Sequence, residues 1–117
     1  MIYLILIKKD AKNQIACNMI IADNFLSRLK GLMFTKDFPG GGLIIKPCRG
    51  VHTYFMQYPI DVLILDKNNK VIHKEISLAP NKRTPFFLDA ESVIELPDKT
   101  LLNTHIEVGD KLLYFDN

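Results

Sequence analysis

The chain lacks most of the features that assign a protein quickly to a class. It has two cysteines, Cys17 and Cys48, in 117 residues, too few for the disulfide framework of a small secreted domain. Its amino-terminal apolar run, MIYLILI over residues 1–7, falls well short of the roughly 20 residues that a helix needs to cross a bilayer. Positive charge follows that run, at Lys8 and Lys9, rather than preceding it, which is the wrong order for a secretory signal. The expected setting is therefore the cytoplasm, without a membrane partner and with thiols reduced. Charge of one sign is scarce as well: 15 basic against 13 acidic residues leaves +2. That balance makes no broad field for nucleic acid, and no nucleic-acid partner is expected. Internal repeats, linkers and low-complexity segments are absent.

What is present is ordinary globular material, 48% hydrophobic and 24% charged. A chain of this length makes one domain, here residues 1–117, and buries enough surface to hold a core without staples. Residues 1–7 read as a buried strand. Ile15, Cys17, Met19 and Ile21 share one parity, which predicts a half-buried strand over 14–21 in a hairpin with the first. Asp23 or Asn24 can cap a short helix whose apolar stripe is Phe25, Leu26, Leu29, Leu32 and Met33. Pro39-Gly40-Gly41-Gly42 then reads as a flexible loop. It is no phosphate cradle, because a strand-like stretch follows where a phosphate loop needs a helix.

From residue 43 onward short strand signals recur at 43–45, 51–55, 60–65, 71–76, 92–96 and 111–115. Turn chemistry separates most of them; residues 66–70, DKNNK, make a good hairpin turn because Asn tolerates positive φ. Leu101 and Leu102 fit a helical turn after Pro97. The fold class is mostly β: a single-domain antiparallel sandwich or partly closed barrel with one short helix.

Candidate chemistry concentrates in residues 47–61, PCRGVHTYFMQYPID. Cys48, His52 and Met56 stand four apart, but a blue-copper site needs a second histidine. In the small copper proteins an earlier strand supplies it, and the only other histidines here, His73 and His105, lie downstream. Structural zinc wants four Cys or His ligands in close pairs, and neither CxxC nor HExxH occurs. No metal or cofactor is assigned. A Cys48–His52 pair could make a reactive thiolate, yet four residues along an extended stretch need not touch. No GxSxG surrounds Ser27, Ser77 or Ser92. Glu91 and Glu95 could act as paired carboxylates if their separation suited a glycoside; more often such acids partner a base, and Arg28 with Asp61 or Glu95 could form a buried or half-buried ion pair. His52 weighs evenly between a structural role and proton transfer.

Arg28-Leu29-Lys30-Gly31-Leu32-Met33-Phe34 resembles the RxxGLMF segment of the domain of unknown function 192 family. Residues 51–56 with 59–62, VHTYFM and PIDV, resemble its second block, and Ile94-Glu95-Leu96-Pro97 and Val108-Gly109-Asp110 its last two. The resemblance covers about residues 23–115 in the family's order. It implies a jelly-roll-like fold with a short helix near the front, and no activity. Asp98-Lys99 stand where the family usually has a small residue and then glycine.

Arg28, His52, Thr53, Met56, Asp61 and Glu95 are the candidate binding residues. The leading expectation is a small binding module with a polar pocket for a small anionic or peptide-like ligand. Arg28 would supply fixed charge there, with directional hydrogen bonds from His52 and Thr53. One alternative is a hydrolase with His52 as general base and Asp61 orienting it. Another is an interaction domain using Phe86-Phe87-Leu88, although that triplet reads more naturally as core-facing. Oligomeric state is not readable.

Overall fold

The computed structural model describes residues 1–8, 11–24, 27 and 31–116. Eight strands carry the fold: β1 (Ile2–Lys8), β2 (Ala11–Ala16), β3 (Met19–Ala22), β4 (Gly42–Ile45), β5 (Ile60–Asp66), β6 (Val71–Leu78), β7 (Ala90–Pro97) and β8 (Lys111–Asp116). They form two sheets that do not close into a barrel: a three-stranded sheet in the order β2-β1-β8, and a five-stranded sheet in the order β3-β4-β7-β5-β6. The expected mostly β, two-sheet class is what the chain adopts. The expected helix falls largely on residues 25, 26 and 28–30, outside the described ones; Ser27 alone is described as helical.

Between the sheets lies one part of the core. Leu4, Leu6 and Leu112 from the small sheet meet Ile44, Leu63, Leu65, Ile94 and Leu96 from the large one. The opposite face of the large sheet is covered too. Val62, Ile64 and Val93 there pack under loop residues Leu32, Met56, Val51 and Tyr58. A sheet buried on both faces needs apolar side chains at both parities. That is why β5 reads Ile-Asp-Val-Leu-Ile-Leu with every residue from Ile60 to Leu65 buried.

Several local expectations change in the folded chain. The strand over 14–21 is broken in two at Asn18, whose φ is 57°, a left-handed conformation that Asn adopts more easily than most residues. Past the break the chain changes sheets: β2 pairs antiparallel with β1, whereas β3 pairs in parallel with β4. Residues 23–41 between them are long enough for the crossover that a parallel pair requires. The glycines at 40–42 are held rather than loose. Gly41 donates its N–H to the Asn18 carbonyl at 3.0 Å, and a β-carbon on Gly41 would sit 1.7 Å from the Cys17 carbonyl oxygen. Only glycine lets these backbones approach so closely.

The 66–70 turn forms as expected. Asp66 Oδ1 accepts the N–H groups of Asn68 and Lys70 at 2.8 and 3.0 Å, and Asn69 takes φ 61°. The expected strand over 51–55 does not form. That segment makes a single bridge, His52 to Arg83, and then a tight turn in which Met56 N donates to Thr53 O at 3.2 Å. After Pro97, Thr100 N donates to Pro97 O and Leu102 N to Lys99 O, which gives successive turns in place of a regular helix.

Candidate functional site

The site is built on β7. Glu95 lies opposite Val62 of β5 and Leu43 of β4. Directly opposed residues of antiparallel strands share a face, so its carboxyl emerges on the loop-covered side of the large sheet, with Val93. Loops 31–35 and 47–58 roof it. Gly31 has φ +49°, and a β-carbon there would lie 3.7 Å from Glu95 Oε1; this bare stretch of backbone leaves room above the acid. The result is a pocket of about 130 Å³ lined chiefly by Leu32, Met33, Cys48, His52, Met56 and Glu95. A single water needs roughly 10–15 Å³ by such a measure, so the space admits several waters or one small group.

Glu95 is 2% exposed, and among the described residues no hydrogen-bond donor or cation partners its carboxyl. Burial pushes its pKa up to about 8, because a charged carboxylate gives up hydration that none of the described residues replaces. Near neutral pH the group is mostly protonated. Tyr58 feels the same surroundings: burial chiefly raises its pKa, the Glu95 charge adds to the rise, and the hydrogen bond with Thr35 opposes it. The phenol and the Thr35 hydroxyl are 2.6 Å apart.

A second cleft, of about 460 Å³, shares Gly50, Val51 and His52 with this pocket, and its walls add Tyr54, Arg83, Thr84 and Phe86. His52 is exposed, and its ring stacks on Tyr54 with centroids 4.8 Å apart. Nδ1 accepts the Tyr54 N–H at 3.2 Å, which leaves the proton of a neutral ring on Nε2. The walls of the cleft are stitched together. Thr84 N donates to Val51 O at 2.9 Å, Phe87 N to Arg49 O at 3.0 Å and Thr53 N to Lys82 O at 2.8 Å. Cys48 Sγ donates to the Gly50 carbonyl at 3.1 Å.

Three of the six candidate residues, His52, Met56 and Glu95, thus meet at one pocket. Thr53 is fully buried beside it and serves as a clamp. Its hydroxyl donates to Ala79 O at 2.6 Å and accepts the Lys82 N–H at 2.9 Å, so it has no proton left to donate to a ligand. Asp61 is not brought to His52. It pairs with Leu96 on the face between the sheets, opposite to the Glu95 face. There Oδ1 accepts Ser77 N and Lys99 N at 2.9 and 3.0 Å, and Oδ2 accepts Leu101 N at 2.8 Å. The His52–Asp61 couple of the hydrolase alternative is absent for that reason. Arg28, and with it the expected Arg28–acid pair, lies outside the described residues. Glu91 and Glu95 line different pockets, since four residues of strand carry the chain about 13 Å.

Among the described residues, no group of three His, Cys, Asp or Glu side chains is placed to hold a metal ion. Neither cysteine forms a disulfide. Of the Phe86-Phe87-Leu88 triplet, only Phe87 packs inward, against His73 at 5.1 Å; Phe86 and Leu88 are exposed. Sequence reasoning missed the contributions of Met33 and Gly31 to the pocket. Their adjacency to the buried acid is set by a loop, although both lie in the same block as Arg28.

The described features sit in a recurrent framework. The DUF192 family model, described as "Uncharacterized ACR", matches residues 6–114. A UPF0127 protein of Pyrococcus furiosus is 33% identical over 108 residues, covering 85% of this chain and 88% of the relative. A UPF0127 protein of Thermococcus kodakarensis is 30% identical over 95 residues, and the match takes in 77% of this chain but 60% of that longer protein. The chain thus spans about three-fifths of the length of the Thermococcus relatives it matches. In three dimensions it is similar to a crystal structure of a protein of unknown function from Novosphingobium aromaticivorans. That likeness has a TM-score of 0.79 at 17% identity and covers 95% of this chain and 83% of that one. No helix among the described residues is long and apolar enough to cross a membrane.

Proposed function

We propose that this chain, which belongs to the DUF192 family, is a small binding module. Its ligand lies in the cleft beside His52 and Tyr54 and sends a compact polar group into the pocket floored by Glu95. One observation carries the reading: a carboxyl 2% exposed, unpartnered among the described residues, faces a 130 Å³ space instead of close-packed protein. A fold that needed only a core would fill that position with an apolar side chain at lower cost. Small-molecule sites combine mostly apolar walls with a few convergent polar groups, and this pocket has that composition. The outer cleft, with aromatic rings at Tyr54 and Phe86, suits a peptide-like ligand better than a bare anion. Anion binding would lean on Arg28 and would face Glu95, which can receive an anion only while protonated. A cytoplasmic, reducing setting suits Cys17 and Cys48 as thiols, and the two facing sheets are compatible with a jelly-roll-like arrangement.

The test is a thermal-shift screen of capped dipeptides and small polar metabolites. A ligand at about 100 times its Kd stabilises the native state by about 2.7 kcal/mol, a shift of several degrees for a domain of this size. The expected hit loses its effect in His52→Ala, whose side chain is exposed. Shifts that His52→Ala leaves unchanged, or none for any compound, would count against the reading.

A further inference from the structure

The pocket's lining discriminates between chemical classes of ligand. Among the described lining residues there is no lysine or arginine, and the one carboxyl is that of Glu95. Apart from the His52 imidazole, the other described side chains lining it are aliphatic or sulfur-bearing: Leu32, Ile45, Val51, Met33, Met56 and Cys48. Quaternary ammonium groups are recognised by aromatic faces, and among the described residues no Phe, Tyr or Trp lines this inner space. A primary ammonium instead needs strong acceptors at its tip and apolar surface along its stem. We infer that the pocket takes a primary alkylammonium group, with the Glu95 carboxylate as its counter-charge and the Met33 and Met56 thioethers packed along its methylene stem. This rests on the binding reading above and assigns the group that enters the inner pocket. The shared chemistry is a primary amine on a short chain, supplied either by a lysine side chain or by a free diamine.

The inference has a proton signature. An ammonium that binds Glu95 as a carboxylate must expel the proton that the empty pocket holds there. Of the other titratable groups facing this space, Cys48 and His52 line it, and Tyr58 lies close enough for the Glu95 charge to raise its hydroxyl further. With the acid near 8 in the empty site, binding at neutral pH releases close to one proton. Affinity then rises about tenfold per pH unit between about pH 5.5 and 7.5.

The experiment is isothermal titration of the full chain with N-acetyl-lysine amide and with 1,4-diaminobutane, in buffers of different ionisation enthalpy, beside N-acetyl-norleucine amide and N-acetyl-glutamate amide. Expected are binding of at least one amine, proton release near one, the stated pH slope, and loss of at least tenfold in affinity in Glu95→Gln. Whichever amine binds identifies the source. The proton count in the unmutated chain needs no variant to fold. Proton uptake, a slope of opposite sign, or equal affinity for the norleucine compound overturns the ammonium assignment while leaving a binding module. Failure of all four probes to bind, together with an empty thermal-shift screen, overturns both.

Discussion

Replacing Glu95 by Gln gives the sharpest physical test, because a buried acid that keeps its proton ties folding stability to pH. In the folded chain its pKa is about 8 against an ordinary 4.5, so between those values the native state holds a proton that the unfolded state has lost. The sign follows directly. The stabilisation is fully present below about pH 4.5 and is lost as pH rises through about 8. At about 1.4 kcal/mol for each pH unit crossed between those two values, stability should fall by about 3–4 kcal/mol from roughly pH 5 to pH 8. That is a large share of the roughly 5–15 kcal/mol that a domain has to lose. Glutamine has nearly the same shape and no proton to give up, so the variant should lack this fall over the window. It should be less stable than or equal to the parent in acid and more stable above neutrality. Urea denaturation of both proteins at several pH values measures the difference, and taking the difference cancels the three histidines common to both. A parent protein whose stability is flat over this window, or a variant with the same slope, would falsify the claim that the carboxyl is buried without a partner.

The other polar side chains should respond structurally. Asp61→Ala leaves three backbone N–H groups at Ser77, Lys99 and Leu101 without their acceptor; a loss of about 3 kcal/mol or more is expected, seen as a lower urea midpoint, and a loss under about 1 kcal/mol contradicts the assignment. Thr53→Val removes the donor to Ala79 and the acceptor for Lys82 while keeping the volume. It should lower stability by about 1–3 kcal/mol and speed amide exchange in residues 79–84, whereas unchanged exchange there would show that the hydroxyl is not the clamp.

Much of this protein was legible in its residues before any fold was known. Strand alternation, the Asp66–Lys70 turn and the shortage of cysteine are local or compositional, and local rules act on a chain wherever it goes. The same residues did not say that Val51 to Phe55 would curl into a turn. Hydrogen bonds from the distant 79–84 segment hold that stretch, and β propensity cannot anticipate partners about thirty residues away. Nor did they say that residues 19–22 would leave the first sheet to pair in parallel with 42–45.

The candidate site shows the same division. Alternation along β5 and β7 puts Asp61 and Glu95 on opposite faces once the two strands pair as they do, so two acids that look alike in the sequence part company. One faces the space between the sheets and is consumed by backbone donors. The other faces loops that stop short of it. Sequence alone chose which residues are apolar and where the chain can turn, because those depend on neighbours within a few positions. Which acid would be left facing a space depended on register and on loops arriving from two separate parts of the chain, and only the packed structure brings those together.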